Sequence, residues 1–217
     1  MCPAQAVDCT VGEVATVSAI VTTRDPPSLR TSRLTLRQWQ PADRPAFAAL
    51  NADPRVMQYF PAPLSAEASD AMADRCAAGI RERAWGLWAA EVTGNTPFIG
   101  FIGLAHAAEG LPCSGLVEVG WRLAAEHWGR GYASEGAHAA LDYAFETLGL
   151  AEVVSFTAVG NGRSRAVMER LGMHRAAAEF DHPHVPEDNA LRRHVLYWVS
   201  RDDWRLRMRL RERGVVR

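Results

Sequence analysis

Hydrophobic residues recur with helical spacing in several segments after residue 30. In residues 133–148, small and apolar side chains follow one another at intervals of three and four positions, which is the spacing of one helix face. Gly149 follows as a helix stop signal. Similar patterns predict helices over residues 42–53, 64–83 and 162–172, the second with Ser65 as its N-cap.

Other segments alternate between apolar and polar residues, or are continuously apolar and rich in β-branched residues, which is typical of strands. The predicted strands cover residues 33–39, 85–92, 98–106, 116–124, 153–159 and 194–200. The intervening "TGNTP", residues 93–97, indicates a hairpin turn. Because the sequence shows neither an internal repeat nor a second apolar core, we predict one mixed α/β (α+β) domain over residues 31–204.

The two ends of the chain depart from this pattern. Residues 1–30 end close to a pair of prolines, and we predict a weakly ordered appendage with at most a short strand over residues 14–22. Residues 205–217 form an Arg-rich tail in which apolar residues alternate with arginine. Ser200 and Asp203 favour a helix start, whereas the alternation favours an extended tail, so both structures remain open.

Composition narrows the classes of function. The formal net charge of −1 argues against broad binding to nucleic acid or to an anionic membrane, and all 24 basic residues are arginine. The sequence has no apolar run of membrane-spanning length and no positive charge before Arg24, so we predict neither a transmembrane helix nor a secretory leader. The four cysteines lack metal-site spacing. We therefore expect a cytoplasmic protein with free thiols and no metal.

The segment "HWGRGYASEG", residues 127–136, places two glycines where a helix must begin. Such an entry is a phosphate cradle, a tight turn or a close packing contact. A Walker A loop requires a lysine, which this chain lacks. A dinucleotide fingerprint requires a third glycine where Ser134 stands. Both nucleotide-binding motifs are therefore excluded.

A longer constellation is more specific. The stretch "EVGWRLAAEHWGRGYASEG", followed by "NGRSRAVMERLGM", resembles the GNAT acyltransferase superfamily, and most of all its Rim-type branch of ribosomal-protein N-terminal acetyltransferases. The resemblance extends over about residues 32–204. It implies the acyl-CoA N-acyltransferase fold, in which helices flank a mixed and mostly antiparallel sheet. It also implies acetyl-CoA as the acyl donor and a primary amine as the acceptor.

The resemblance also assigns cofactor-binding positions. The strand around Val119, Trp121 and Leu123 would bind the pantetheine arm through its main chain. The implied pyrophosphate cradle comprises Trp128, Gly129, Arg130, Gly131, Tyr132 and Ala133, with the Arg130 side chain able to add a charged contact. Trp128 departs from the glutamine or arginine that is usual in the family. Asn161 matches an asparagine that contacts the cofactor arm.

Two residues are candidates for catalysis. Glu118 lies on the strand that would meet the thioester and is the first candidate for the general base, although a surface carboxylate on an alternating strand is the alternative. Ser164 occupies the position at which related enzymes offer a hydroxyl to the departing thiolate; a helix N-cap is the other interpretation, and the two roles are not exclusive. His182 and His184 titrate near neutral pH and either serve the acceptor pocket or are solvated loop residues.

Several functional questions stay open at this level. The acceptor is either a protein N-terminus or a small-molecule amine, and a homodimer is possible. One alternative is a non-catalytic acyl-CoA-binding sensor domain. Another is a ribosome-associated factor that acts through the Arg-rich tail, residues 205–217.

Overall fold

A computed structural model describes residues 27–215, which contain one eight-stranded sheet with the strand order β1-β2-β3-β4-β5-β6-β8-β7. The strands are β1 (Leu29–Arg30), β2 (Leu34–Arg37), β3 (Leu87–Val92), β4 (Thr96–His106), β5 (Val117–Leu123), β6 (Glu152–Ala158), β7 (His174–Asp181) and β8 (Arg193–Ser200). All six predicted strands are present, with ends shifted by no more than two residues.

Six α-helices accompany the sheet between residues 27 and 215. They are α1 (Arg44–Ala52), α2 (Pro54–Met57), α3 (Ala66–Arg83), α4 (Tyr132–Asp142), α5 (Gly162–Leu171) and α6 (Arg201–Glu212). Ser65 caps α3 as predicted, because its side chain accepts a hydrogen bond from the amide of Ala68. The predicted helix over 133–148 begins as α4 and ends in one wider turn, Tyr143–Thr147, with five-residue hydrogen-bond spacing. The short helix α2 was not predicted, since four residues show no periodicity.

The sheet is mixed and mostly antiparallel, as the sequence predicts. Every pair of neighbouring strands is antiparallel except β5 and β6. These two parallel strands pair at one position, where Glu118 is opposite Val154, and then separate toward their carboxyl ends. The sheet is therefore split at its middle, and the split widens toward the loops that precede α4 and α5.

The two faces of the sheet have different partners. On one face, Ile102, Val119 and other apolar side chains form the main core with α4 and α5. Gly136 brings α4 close to the sheet at this point, because a Cβ there would overlap the Ile102 side chain. On the opposite face, the alternating positions Glu118 and Arg122 point toward α1, α3 and the loops.

The ends of the described chain pack on the domain. Leu29 and Arg30 extend the sheet just ahead of the predicted domain start, while the predicted strand over 14–22 lies outside the described residues. The tail adopts the helix α6, capped by the Ser200 hydroxyl at the amide of Asp203, and Trp204 is buried. The extended alternative for the tail is therefore wrong. Between residues 27 and 215, no helix is both long enough and apolar enough to cross a membrane.

Candidate active site

A cavity of about 890 Å³ lies where β5 and β6 separate. Its walls come from the whole of β5 after Val117, the loop into α4, the middle of β6 and the first turns of α5. The segment after α2 and the loop between β7 and β8 close the side that faces α1 and α3. The split in the sheet thus forms a cleft that is open both to the glycine-rich loop and to the loop that carries His182 and His184.

Both glycines of the "GRG" segment adopt left-handed backbone conformations. Gly129 has φ of 73° and Gly131 has φ of 83°, a region that other L-residues rarely adopt. Gly131 is the N-cap of α4, and no side chain caps this helix start. The first amides of α4, from Tyr132 onward, consequently lack helical partners and lie beside the cavity. This geometry is that of an anion-binding helix terminus.

Eleven of the twelve residues predicted from the sequence line the cavity. They are Glu118, Val119, Trp121, Leu123, Trp128, Gly129, Gly131, Tyr132, Ala133, Asn161 and Ser164. Arg130 is exposed and does not line it. Instead its main-chain carbonyl accepts a hydrogen bond of 2.9 Å from Nη1 of Arg33. The structure therefore gives the Arg130 side chain no contact with the cleft, although its backbone belongs to the loop.

Two other arginines stand near the glycine loop. The guanidinium of Arg163 lies 4.5 Å from the ring centroid of Trp128, and the Trp128 indole nitrogen donates to the carbonyl of Leu123 over 2.8 Å. Arg170 donates to the Ser134 hydroxyl over 3.2 Å. Both arginines line the cavity. Their spacing of seven residues places them on one face of α5, two turns apart, and this spacing was the signal that sequence reasoning missed.

The main chain of β5 has a free edge along the cleft. On one side, β5 pairs with β4 over its full length, from Val117 opposite His106 to Leu123 opposite Gly100. On the other side it pairs with β6 only at Glu118. The peptide groups after Glu118 are thus available to an extended ligand that adds itself as a strand.

Glu118 sits at the point where the two strands part. It has no ion pair among residues 27–215, and its burial raises the pKa of its carboxyl group to about 7. A carboxyl group with this pKa is close to half ionised at neutral pH and is able to accept a proton there. Its position in the cleft excludes the alternative of a surface carboxylate.

The start of α5 corrects one interpretation of Ser164. The N-cap is Asn161, whose side-chain oxygen accepts a hydrogen bond of 3.2 Å from the amide of Ser164. The Asn161 side-chain nitrogen donates to the Thr157 hydroxyl on β6 over 2.9 Å. The cap alternative for Ser164 is therefore wrong, because the capping is done by Asn161 and the Ser164 side chain lines the cavity.

Three histidines gather at the wall formed by the β7–β8 loop. The rings of His182 and His194 lie 4.8 Å apart, and those of His182 and His184 lie 5.6 Å apart. Burial and the two neighbouring histidines lower the pKa of His182 to about 4, so this ring is neutral at pH 7 and the expected titration near neutral pH is wrong for it. Nδ1 of His194 lies 3.0 Å from the Arg192 carbonyl, so Nδ1 carries the proton and Nε2 remains an acceptor.

Arg122 is a further cavity residue that the sequence interpretation missed. Its Nη1 donates to the side-chain oxygen of Asn51 over 2.7 Å. The alternation along β5 was the available signal, because residues two and four positions from Glu118 share its face of the sheet. His194 is a second such residue: it lies in the predicted strand over residues 194–200, no role at the site was predicted for it, and it is buried on β8.

Comparison with known proteins agrees with this geometry. Residues 33–174 match the family model described as "Acetyltransferase (GNAT) domain". One relative is the "FsC-acetyl coenzyme A-N(2)-transacetylase" of Aspergillus fumigatus, 32% identical over 87% of this chain and 82% of that protein. Another is the "Putative ribosomal N-acetyltransferase YdaF" of Bacillus subtilis, 44% identical over 25% of this chain and 30% of the relative.

Solved structures show the same fold. The acetyltransferase from Agrobacterium tumefaciens str. C58 superposes with a TM-score of 0.63, at 31% identity over 87% of this chain and 99% of that one. Mycobacterium smegmatis RimJ in complex with CoA-disulfide superposes with a TM-score of 0.67, at 17% identity over 87% of this chain and 95% of that one. The predicted fold is therefore confirmed.

Proposed function

The chain belongs to the GNAT acetyltransferase family and is an N-acetyltransferase, and we propose that it transfers the acetyl group of acetyl-CoA to a primary amine by direct attack in a ternary complex. The observation that carries the proposal is the cleft at the split of the sheet. It joins a free strand edge, an uncapped helix start and a buried carboxyl group in one cavity.

The coenzyme would occupy the cleft along β5. Its pantetheine arm is an extended amide chain, which suits the free main-chain edge between Glu118 and Leu123. Its pyrophosphate suits the amides at the start of α4, which no side chain caps. Arg163 and Arg170 supply positive charge at this end of the cavity and take the role that the sequence gave to Arg130.

Acetyl transfer would take place at the end of the cavity away from the pyrophosphate, where Glu118 and Ser164 lie. The amine nitrogen attacks the thioester carbon, the carbon–sulfur bond breaks, and the amine loses one proton while the thiolate gains one. Glu118, close to half ionised at neutral pH because burial raises its pKa to about 7, would accept the proton of the amine. A main-chain amide of β5 would stabilise the oxyanion, and the Ser164 hydroxyl would donate to the thiolate.

Two classes of acceptor fit this reaction. The fungal relative is named as an FsC-acetyl coenzyme A-N(2)-transacetylase, and the bacterial relative YdaF as a putative ribosomal N-acetyltransferase. For the present chain these names support a primary amine, carried either by a small molecule or by a protein N-terminus.

The test is an acetyl-transfer assay with a panel of small amines and N-terminal peptides, read by release of the CoA thiol and by mass of the product. We expect transfer to at least one acceptor in the wild-type chain and a loss of about 10²-fold or more in the Ser164→Ala and Glu118→Gln variants if they act on the thiolate and the amine. Tight binding of acetyl-CoA without turnover on any amine would instead favour the sensor alternative.

The tail hypothesis has a separate test. Several arginines of α6 are engaged within the domain, among them Arg205, which forms an ion pair with Glu146 at 2.9 Å, and Arg207, which donates to the carbonyl of Arg170. We therefore expect deletion of residues 205–217 to destabilise the domain rather than to remove a ribosome contact. Co-sedimentation with ribosomes that disappears on deletion, in a chain that stays folded, would contradict this expectation.

A further inference from the structure

Arg122 lines the cleft on the side that faces α1 and α3. It lies on β5 opposite Phe101 of β4, on the same face of the sheet as Glu118. Its guanidinium contacts Asn51 of α1 and the sulfur of Met72 of α3, so it belongs to the wall that faces these helices. The proposed pyrophosphate site lies at the start of α4, which packs on the opposite face of the sheet.

The charge of Arg122 has no counter-ion among residues 27–215. Its central carbon lies 4.1 Å from the ring centroid of Phe60 and 5.4 Å from that of Phe101, and Nε is buried without a hydrogen-bond partner. The Asn51 side chain supplies a neutral acceptor only. Burial lowers the pKa of Arg122 to about 10, as expected for a cation that is removed from water and not paired.

Arg37 shows how the same fold treats a buried arginine with a structural role. Its guanidinium forms ion pairs of 2.8 Å with both Asp43 and Glu91, and it also donates to main-chain carbonyls. A buried cation is costly unless it is paired in this way. Arg122 lacks such pairing, although it lines a cavity that a ligand can enter. The missing anion is therefore best supplied by the ligand.

Glu118 and Arg122, the two ionisable groups on this face, are complementary to an acceptor that carries an amine and an anionic group. Glu118 and Arg122 form no ion pair with each other, and four residues of extended strand separate their Cα atoms by about 13 Å. The reacting amine must lie near the thioester and hence near Glu118. An anionic group elsewhere on the same acceptor can then reach the planar guanidinium, whose geometry suits a carboxylate.

We propose that the acceptor is a small primary amine that also carries a carboxylate, and that Arg122 binds this carboxylate as a specificity-determining residue. The proposal rests on the proposed function. It favours a small amino-acid-type acceptor over a protein N-terminus, whose carboxyl-terminal group lies far from its α-amine.

The experiment measures kcat/KM for a ladder of ω-amino acids, from glycine to 6-aminohexanoate, each against its own carboxamide. The wild-type chain should prefer at least one carboxylate over its carboxamide by tenfold or more. Arg122→Met and Arg122→Gln should reduce this ratio to within about twofold of one, with the KM for acetyl-CoA unchanged. Arg44→Met is the matched control, because Arg44 lies on the outer side of α1 and pairs with Asp70 and Asp74; it should keep the wild-type ratio.

Several results would overturn the proposal. One is a wild-type ratio near one for every pair, and another is a ratio that survives in both Arg122 variants. A third is faster transfer to N-terminal peptides with amidated carboxyl ends than to any carboxylate of the ladder. Because Arg122 has no ion pair to lose, both variants are expected to fold, and a thermal melt within a few degrees of wild type would establish this.

A binding measurement separates this proposal from the proposed function. Calorimetry with the CoA-loaded protein compares the N-acetyl derivative of each ω-amino acid in the ladder with its carboxamide, and it needs no turnover. Tenfold tighter binding of at least one carboxylate, lost in Arg122→Met, supports the role of Arg122 even if no amine is acetylated, in which case the proposed function fails alone. Equal binding of both compounds in every pair would overturn the role of Arg122 whether or not transfer occurs.

Discussion

Replacement of Glu118 by glutamine should stabilise the protein while it removes activity. In the folded chain, burial raises the pKa of this carboxyl group from 4.5 to about 7. A carboxyl group whose pKa is raised in the folded state does not reduce folding stability at pH values below its unfolded-state pKa. Its destabilising effect grows as pH rises from 4.5 through 7. Each unit of pKa shift corresponds to about 1.4 kcal/mol. The full penalty above pH 7 is therefore about 3 kcal/mol, and it falls below about 1 kcal/mol at pH 5.

Glutamine has nearly the shape of the neutral carboxyl group but does not ionise. Urea denaturation gives the free energy of unfolding of Glu118→Gln minus that of the wild type. This difference should be larger at pH 8 than at pH 5 by about 2–3 kcal/mol. Glu187→Gln is the matched control, because the Glu187 side chain is 92% exposed, and its stability difference should change little with pH. A stability difference for Glu118→Gln that is the same at both pH values would refute the reasoning.

The same variant has a kinetic signature. In the wild-type chain, kcat/KM for a fixed acceptor should rise with pH through a group near pH 7, since the ionised Glu118 is the form that accepts a proton. Glu118→Gln should lower kcat/KM by about 10²-fold or more and should lose this inflection, while the titration of the acceptor amine remains. An unchanged inflection would assign the base to another group, with Nε2 of His194 as the next candidate.

Other changes separate binding, capping and catalysis. Gly131→Ala should weaken acetyl-CoA binding by about tenfold in calorimetry, because the left-handed conformation of the loop is less favourable for alanine by about 1–2 kcal/mol. Gly149 is also left-handed but lies outside the cavity, so Gly149→Ala should reduce stability in melting experiments without weakening binding. Asn161→Ala should cost about 1 kcal/mol of stability in urea as a lost cap. Ser164→Ala should keep stability and reduce kcat more than coenzyme affinity in steady-state kinetics. Glu135→Gln should raise the acetyl-CoA Kd in calorimetry with kcat largely kept, because the Glu135 carboxylate accepts hydrogen bonds from Arg33, which in turn donates to the Arg130 carbonyl of the glycine loop.

Local patterns were sufficient to predict most elements of this fold. The helices with clear three- and four-residue spacing and the strands with alternation were found within a few residues, because each buries one face that the pattern marks. The tail was ambiguous because its alternation competed with the helix start at Ser200, and the structure shows that burial of Trp204 accompanies the helix. The short helix α2 gave no periodic signal because it has only one turn.

The candidate site was predictable only in part, for a different reason. The cofactor loop is contiguous, so its glycines are visible in ten residues of sequence. The roles of Arg122 and His194, in contrast, depend on neighbours that are distant in sequence. Arg122 contacts α1 and α3, and His194 packs beside the rings of Phe156 on β6 and Phe180 on β7. A single sequence contains no information on such pairings until the strand order is known.

The glycine loop itself depends on a contact that no local pattern shows. Glu135, in the first turn of α4, accepts hydrogen bonds from the Thr31 hydroxyl, the Ser32 hydroxyl, and the main chain and side chain of Arg33, about 100 residues earlier. Arg33 in turn donates to the Arg130 carbonyl, and its Nη2 would lie 3.3 Å from a Cβ at residue 131. Arg33 thus holds the loop through the carbonyl of Arg130, and the amides of the loop stay free because the arginine bonds to a carbonyl. Position 131 therefore has two requirements. Its backbone is left-handed, and a side chain there would crowd Arg33. Glycine meets both, so the preference for glycine is stronger than an anion site alone would require.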